Sequence, residues 1–326
     1  MTLLLSRADV AGLMRPSDYL EAVEAGFGAA QAGLAEAPAP MALAGVGGVF
    51  HAKGAGLRRG RPYVALKLNA NFPDNRGGVP TIRGAILLCD GGDGALLAVI
   101  DSIEVTLPRT AAATALAARF LARPDSETVL VCGCGAQAAP QLEALAEVLP
   151  LRRGFAWDRD FGRAGAFAAA RREEGMEMVA APELEAAAAA SDVIVACTTA
   201  RQAYLGAELV RPGAFVAAVG ADSPDKSEIR PELMARARVV VDVLEQCLEM
   251  GDLRHAVAAG AMSAGDVHAG LGAIAAGAAP GRTSDDDIFV FDSTGTALQD
   301  VASAAAVYER AGRRGGYATF AFGGEG

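Results

Sequence analysis

Histidine and cysteine are scarce in this sequence, and neither residue type is clustered. Among 326 residues there are three histidines and five cysteines. A metal site needs several His, Cys or acidic ligands grouped together, yet His51, His255 and His268 are widely separated. Most of the cysteines lie in apolar, strand-like runs, where a free thiol behaves as a small buried hydrophobe. We therefore predict no metal site.

Long apolar runs are also missing. The amino-terminal run contains three leucines and is followed at once by Arg7 and Asp9, which is too short for the hydrophobic core of a signal peptide. No other window approaches the length that a membrane-spanning helix requires. These absences predict a cytoplasmic protein without a membrane partner.

Positive charge is in deficit, with 29 Lys and Arg against 39 Asp and Glu and a formal charge of −10. The sequence has no basic stripe interleaved with aromatic residues, the pattern typical of nucleic-acid binding. We expect no nucleic-acid partner. The length and the 52% hydrophobic content are those of an ordinary globular protein with two domains.

The first third of the chain predicts an antiparallel sheet with one flanking helix. The helix is expected over 17–34, where apolar residues follow a helical period. A glycine-rich stretch over 45–60 follows. Strand-like runs cover 63–68, 85–89 and 95–100, and the last two are joined by DGGDG, a hairpin signal at 90–94.

From about residue 111, short apolar runs alternate with Ala-rich helical segments. This alternation is typical of an α/β fold with a parallel sheet covered by helices. The final helical run, over 298–311, is expected to return to the first domain. The predicted strands are 129–132, 154–157, 178–179, 193–197, 215–219, 239–243 and 288–291.

A dinucleotide-binding turn follows the strand at 129–132. The segment has the pattern G-x-G-x-x-A, with Gly133, Gly135, Ala136 and Gln137 in the turn and a helix expected over 139–148. The glycines permit a tight turn and close approach of the backbone to a pyrophosphate. The helix amino terminus adds free N–H groups for the phosphates. The pattern alone is weak evidence, but the strand before it and the helix after it strengthen the interpretation.

Asp158 closes the second strand at about the spacing expected for an acid that binds the adenine ribose. Such an acid also repels a 2′-phosphate and so favours NAD over NADP. Arg159 stands beside it and could instead hold that phosphate, so NADP stays possible. The structural alternative for Asp158 is a helix-capping residue.

Five motifs occur in an order that resembles the ornithine cyclodeaminase/mu-crystallin family, and they span nearly the whole chain. They are KLNANFPDN from Lys67, RTAAA from Arg109, GCGAQ from Gly133, GADSPDKSE from Gly220 and VFDSTGTA from Val290. The resemblance implies a Rossmann doubly wound NAD-binding domain over 113–299. It also implies a smaller α+β substrate-binding and dimerisation domain over 1–112 with a C-terminal return over 300–326, and a homodimer. The family includes cyclodeaminases, alanine dehydrogenases, ketimine reductases and hormone-binding mu-crystallins.

Two residues in the N-terminal motifs carry the substrate chemistry that the resemblance implies. Lys67 matches the family's active-site lysine, whose ammonium could pair with a substrate carboxylate or a developing negative charge. Arg109 is expected at the amino terminus of a helix over 107–121 capped by Thr106, where its fork of donors suits a carboxylate. The alternatives are a solvated surface lysine and a surface ion pair.

Several residues follow the later strands at the carboxyl edge of the sheet, where open α/β sheets bind ligands. Asp222 resembles the family's catalytic aspartate and could take a proton from the substrate nitrogen or activate water; the alternative is a turn-capping residue. The remaining predicted cofactor contacts are Thr198, Thr199, Val219, Ser293 and Gly295, the last needed for positive φ or close approach.

One departure from the family pattern lies upstream of Lys67. Cyclodeaminases of the family carry an arginine there for the substrate carboxylate, but this chain has no arginine between Arg15 and Arg58. Lys53 could replace the missing cation, His51 could donate a proton or a hydrogen bond, and Asn69 is placed on the substrate side. Lys53 and His51 could equally be structural.

Three functions fit these observations. The first is an NAD-dependent oxidoreductase acting on the Cα–N bond of a small amino or imino acid, either an amino acid dehydrogenase or an imine (ketimine) reductase. The second is a cyclodeaminase, an ammonia-lyase in which NAD lends a hydride and recovers it. The third is a non-catalytic ligand binder, which would have no need of the charged residues Lys67, Arg109 and Asp222. The sequence favours the first, with the nicotinamide facing a cationic pocket from the N-terminal sheet.

Overall fold

The computed structural model describes residues 1–322; the last four residues of the expected C-terminal return lie outside that part. The chain forms two compact units. The N-terminal unit comprises Met1–Arg109 and the chain from Thr296 onwards, and the central unit comprises Thr110–Gly295. Within residues 1–322, no helix is both long and apolar enough to cross a bilayer, and no three potential metal-ligating side chains are grouped.

The strands are β1 (Thr2–Leu5), β2 (Ala35–Glu36), β3 (Met41–Gly45), β4 (Gly48–Arg58), β5 (Pro62–Asn71), β6 (Ile82–Asp90), β7 (Leu96–Asp101), β8 (Thr128–Cys132), β9 (Arg153–Trp157), β10 (Glu177–Ala180), β11 (Val193–Ala196), β12 (Phe215–Ala218), β13 (Arg238–Val241), β14 (Ala269–Gly270), β15 (Phe289–Asp292) and β16 (Ala318–Phe320). The α-helices are α1 (Arg7–Ala11), α2 (Pro16–Gln31), α3 (Ser102–Leu121), α4 (Ala138–Ala146), α5 (Phe161–Glu173), α6 (Leu184–Ala189), α7 (Pro231–Arg236), α8 (Leu244–Met250), α9 (Asp252–Ala258), α10 (Leu271–Ala275) and α11 (Ala297–Arg314).

The N-terminal unit contains a sheet in the order β16-β1-β7-β6-β5-β4-β2, with β3 paired to β4. It is mostly antiparallel, as predicted, but β1 runs parallel to β7. The glycine-rich stretch over 45–60 contains the turn and the second strand of a hairpin, because β3 and β4 pair from Met41↔Ala52 to Gly45↔Gly48. Two helices, α2 and α11, pack with this unit's strands; α11 contains the final helical run that was expected to return to the first domain.

Alternation along β5 separates the two faces of this sheet. Tyr63, Ala65 and Lys67 are buried on one face, whereas Val64 and Leu66 are exposed on the other. Successive strand residues point to opposite faces, so Lys67 is directed into the interior of the N-terminal unit. The alternation of the strand therefore buries the lysine that could otherwise have been expected at the surface.

The central unit contains a parallel sheet in the order β10-β9-β8-β11-β12-β15-β13-β14. The strands β8, β11, β12 and β15 are buried along their whole length, which explains their continuous apolar sequence. The chain runs from β8 outward to β10 on one side and resumes at β11 on the other, so the strand order reverses between β8 and β11. This reversal is the switch point at which such sheets bind ligands. The predicted α/β class, with a Rossmann-type domain and a second domain, is confirmed.

Candidate active site

The predicted dinucleotide turn lies at the end of β8 in the central unit. Gly133 has a φ of 95°, a conformation that L residues with a side chain rarely adopt. A Cβ at this position would also lie 2.9 Å from the carbonyl oxygen of Cys197 and from Thr198 Cγ2. Glycine is therefore required here, both by the backbone conformation and by the close approach of the chain after β11.

The rest of the turn is open. Gly135 and Ala136 are exposed, and a Cβ built at Gly135 would meet no atom within 4 Å. Among the residues that the structure describes, none accepts a hydrogen bond from the backbone N–H of Gly135, Ala136 or Gln137. Helix α4 begins directly afterwards. Free N–H groups before a helix amino terminus are suited to an anion such as a pyrophosphate.

Asp158 follows β9 and is fixed against the same turn. Its Oδ2 accepts a hydrogen bond from the backbone N–H of Cys134 at 3.0 Å, and its Oδ1 accepts one from the N–H of Asp160 at 2.9 Å. The next helix, α5, is capped by Asp160, whose side chain accepts from Gly162 N. The helix-capping alternative for Asp158 is therefore wrong. Arg159 is exposed beside it.

The remaining predicted cofactor residues of the central unit lie where the sequence placed them, after the carboxyl ends of β11, β12 and β15. Thr198 is half-buried and Thr199 is exposed after β11, and Val219 is buried after β12. The carboxylate of Asp242 fixes the loop after β15, because it accepts from Ser293 Oγ at 3.1 Å and from the N–H of Gly295 at 2.8 Å. Gly295 has a φ of 72°, as predicted.

Asp222 lies in the segment after β12. Its side chain is 58% exposed, and its Oδ1 is 2.5 Å from the ammonium of Lys226, four residues further along the sequence. Its own N–H donates to the carbonyl of Gly220 at 3.0 Å. The carboxylate is thus accessible and held by one cation in the described structure.

Four predicted substrate-side residues share one face of the N-terminal sheet. In the β4–β5 pair, Lys53 lies opposite Lys67 and His51 lies opposite Asn69. Asn69 Oδ1 accepts a hydrogen bond from Ser102 Oγ at 2.5 Å. The register therefore brings together the residues that the sequence could only propose separately.

Lys67 and Arg109 converge on Asp300, which the sequence analysis missed. The ammonium of Lys67 lies 2.5 Å from Asp300 Oδ2, and Arg109 Nε lies 2.8 Å from Asp300 Oδ1. Arg109 Nη1 also donates to Gln299 Oε1 at 2.6 Å. All three charged residues are buried, with relative exposures of 5%, 4% and 1%, so the surface alternatives for Lys67 and Arg109 are wrong.

The expected placement of Arg109 at a helix amino terminus is also wrong. Helix α3 begins at Ser102, and Asp101 Oδ1 accepts from the N–H groups of Ile103 and Glu104 at its start. Thr106 therefore lies inside the helix and caps nothing, and the helix amino terminus does not contribute to anion binding at Arg109. Thr106, a residue type that commonly caps helices, suggested the later start; the acid at Asp101 was the better signal.

The environment of this cluster shifts the pKa values of both partners. Burial, together with the charges of Arg109 and Lys53, lowers the pKa of Lys67 to about 7, although the Asp300 carboxylate opposes the shift. Burial tends to raise the pKa of Asp300, but Arg109 and Lys67 outweigh it and hold that pKa below its usual value. We therefore describe Asp300 as ionised and Lys67 as able to gain or lose a proton near neutral pH.

The model of the ornithine cyclodeaminase/mu-crystallin family matches residues 1–315. The chain belongs to this family. It is 37% identical to an alanine dehydrogenase of Archaeoglobus fulgidus over 311 residues, which cover 95% of each chain. The resemblance drawn from the five motifs is confirmed.

Two solved structures of the family match nearly the whole fold. One is an archaeal alanine dehydrogenase dimer with bound NAD, with a TM-score of 0.94, 36% identity and coverage of 98% of this chain and 99% of that one. The other is the Δ1-pyrroline-2-carboxylate reductase of Thermococcus litoralis in complex with NADH and L-proline, with a TM-score of 0.94, 30% identity and coverage of 98% and 100%.

Proposed function

We propose that this chain is an NAD-dependent oxidoreductase acting on the Cα–N bond of a small amino or imino acid, as an amino acid dehydrogenase or an imine (ketimine) reductase. The observation that carries the proposal is the buried cluster in which Lys67 and Arg109 share the single carboxylate of Asp300, in a chain that also holds an open dinucleotide turn. Its family relatives include an alanine dehydrogenase and a reductase with bound NADH and L-proline.

The central unit would hold the cofactor. Residues 135–137 offer free N–H groups for the pyrophosphate, and Asp158 offers a carboxylate for the ribose hydroxyls. That negative charge disfavours a 2′-phosphate, so NAD is preferred over NADP. When bound, NAD supplies the acceptor or donor of the hydride at Cα.

The N-terminal unit would hold the substrate carboxylate. Two cationic side chains, those of Lys67 and Arg109, pair with the one carboxylate of Asp300. The amide Nε2 of Gln299 is buried and meets no acceptor among the described residues. A buried donor without an acceptor is costly, and a substrate carboxylate would supply acceptors to this donor-rich cluster. His51 and Asn69, on the same sheet face, would contact the remainder of the substrate.

Lys67 and Asp222 would donate and accept the protons of the reaction. Because burial lowers the pKa of Lys67 to about 7, its ammonium can also donate a proton and recover it at neutral pH. The accessible carboxylate of Asp222 would take a proton from the substrate nitrogen as the Cα–N bond becomes an imine, or return it in reduction. In dehydrogenase turnover the same carboxylate would activate the water that adds to the imine carbon.

We also propose a homodimer that forms through the outer face of the N-terminal sheet. On this face lie six exposed apolar residues, with exposures from 37% to 55%: Met41, Leu43, Val64, Leu66, Leu68 and Leu87. The strand registers place them on the same sheet face, on β5 and β6 and, across β4, on β3. A contiguous apolar patch of this kind is typical of a protein interface, and an archaeal alanine dehydrogenase of the same fold is a dimer.

A substrate panel tests the function. The purified chain is incubated with small amino acids, or with 2-oxo acids plus ammonia or methylamine, together with NAD(H) or NADP(H). Absorbance at 340 nm and free ammonia are read in parallel. An oxidoreductase changes the absorbance steadily, whereas a cyclodeaminase releases ammonia without net absorbance change and a binder does neither. Either of the last two outcomes would overturn the proposal.

The role of Asp222 has its own test. The Asp222→Asn variant should lose nearly all turnover while binding NADH as the unmodified chain does, because the side chain is exposed and holds no other element in place. Asp225→Asn is a matched control, since Asp225 lies in the same segment and pairs with exposed Arg201. Full turnover by Asp222→Asn would remove this residue from the mechanism.

A further inference from the structure

Glu228 ends the motif GADSPDKSE, and the proposed mechanism does not use it. Its side chain is fully buried. Oε1 accepts hydrogen bonds from the N–H and the hydroxyl of Thr198, at 2.7 and 2.6 Å, and from the hydroxyl of Tyr204 at 2.9 Å. Oε2 accepts from the N–H of Gly220 at 2.8 Å. One carboxyl group therefore contacts two backbone donors that belong to different loops.

These two loops follow neighbouring strands at the edge where the cofactor is expected. Thr198 lies directly after β11, next to the Gly133 turn, and Gly220 lies directly after β12, two residues before Asp222. The fit is tight, because a Cβ at Gly220 would overlap Glu228 Oε2 and the carbonyl oxygen of Thr198. Glu228 thus sets the distance between two chain segments. The one at Thr198 contains predicted cofactor contacts, and the one at Gly220 leads into Asp222.

The backbone N–H of Glu228 is itself held by a hydrogen bond to the side chain of Asp252. Asp252 Oδ1 accepts hydrogen bonds from the N–H groups of Glu228 and Ile229, at 2.8 and 3.1 Å, and from Ser227 Oγ at 3.1 Å. Asp252 in turn begins helix α9, whose first N–H groups donate to Asp292. The backbone that carries this carboxyl group is therefore held by hydrogen bonds independent of the two loops.

We propose that Glu228 is a positioning residue that aligns the loops after β11 and β12 for cofactor binding and for the placement of Asp222. The inference rests on the proposed function. It assigns the last residue of the motif a task distinct from that of Asp222, since the described hydrogen bonds of the Glu228 carboxyl group are to the loops after β11 and β12.

The geometry makes glutamine a sharp test. A carboxyl group presents an acceptor oxygen to each of the two backbone N–H groups, whereas a glutamine amide presents one oxygen and one NH₂. Backbone donors cannot reorient, so in Glu228→Gln one of them, at Thr198 or at Gly220, must face another donor. That loop must shift to avoid a buried unsatisfied group.

The experiment compares NADH dissociation constants, measured by fluorescence, and kcat for Glu228→Gln and two matched variants. Tyr204→Phe removes one contact to Glu228 but keeps both backbone bonds. Asp192→Asn alters a buried carboxylate of the same unit that also accepts from two backbone N–H groups, those of Glu127 and Thr128, at the opposite ends of β8 and β11. All variants are checked for folding by circular dichroism and thermal unfolding.

We expect Glu228→Gln to raise the NADH dissociation constant about tenfold or more and to lower kcat. Asp192→Asn should lose comparable thermal stability with unchanged NADH affinity, and Tyr204→Phe should stay close to the unmodified chain. If Glu228→Gln does not fold, Glu228→Asp, which keeps the charge on a shorter arm, should show the same weakening of NADH binding.

Three results would overturn the inference: unchanged NADH affinity and kcat in folded Glu228→Gln, equal loss of affinity in Asp192→Asn, or a tenfold loss in Tyr204→Phe. Failure of the unmodified chain to bind NADH would instead refute the proposed function. The two failures are therefore distinguishable.

Discussion

Replacing Asp300 by asparagine removes the carboxylate that pairs with both Lys67 and Arg109. The change keeps the shape of the side chain but leaves two buried cations without the group that lies 2.5 and 2.8 Å from them. Breaking a buried ion pair by removing one partner costs about 3–5 kcal/mol, because an uncompensated charge is left in the interior. We expect a loss of this size in the free energy of unfolding.

The same change should weaken substrate binding through Lys67. With Asp300 present, the pKa of Lys67 is about 7, so the lysine is mostly protonated at pH 6. Asp300 opposes the lowering of that pKa, so without Asp300 the pKa falls further and the lysine loses its charge at pH 6. A neutral amine cannot form a charge-assisted bond to a substrate carboxylate, which is worth about 1.5–3 kcal/mol. The expected loss in kcat/KM for the amino acid is therefore about tenfold to a hundredfold.

Asp18→Asn is the matched control. Asp18 is a buried acid of the same unit, but its partners Arg310 and Arg15 have side chains that are 35% and 80% exposed. Ion pairs with solvated cations contribute about 0–1 kcal/mol. Urea unfolding and steady-state kinetics, both at pH 6, compare the two variants with the unmodified chain. Equal stability of Asp300→Asn and Asp18→Asn, with an unchanged KM for the amino acid, would refute the reasoning.

Three further predictions follow from the same structure. Asp158→Ser should shift the preference from NAD toward NADP by about tenfold or more in kcat/KM, because the repulsion of the 2′-phosphate is removed. The folded pKa of Lys67, about 7, lies below the ordinary value of 10.5, so the stability that this group contributes is present above pH 10.5 and is lost as the pH falls through 7. Relative to Lys67→Met, the free energy of unfolding of the unmodified chain in urea should therefore rise by about 1.4 kcal/mol per pH unit between pH 7 and 9. Parallel plots of this free energy against pH for the two chains would contradict that pKa. Leu66→Glu should convert a dimer to monomers in sedimentation at unchanged circular dichroism, and an intact dimer would place the interface elsewhere.

Local patterns in the sequence predicted the dinucleotide site well. The strand, glycine turn and helix around Gly133 are contiguous, and their chemistry depends on backbone conformation that short-range sequence specifies. The alternation of β5 was also readable. The hairpin of β3 and β4 was not identified, because glycines interrupt its apolar alternation.

Long-range partners could not be predicted in the same way. Asp300 lies 191 residues from Arg109 in sequence, and nothing near either residue indicates the pairing. Glu228 stood in a quoted motif, but its role depends on the adjacency of β11 and β12, which only the fold establishes. The start of α3 was misplaced because Thr106 was taken as its cap, whereas Asp101 accepts from the first N–H groups of the helix.

The account is tested most directly by following the hydride. NADH is prepared with deuterium at C4 of the nicotinamide, on one face or on the other. Each form is mixed with the chain and with the best 2-oxo acid and amine from the substrate panel. The amino acid product is then analysed by mass spectrometry. We predict one deuterium at Cα from one of the two labelled faces, with one NAD⁺ formed per product. Product without deuterium from either face, or ammonia release at constant NADH, would contradict the central claim.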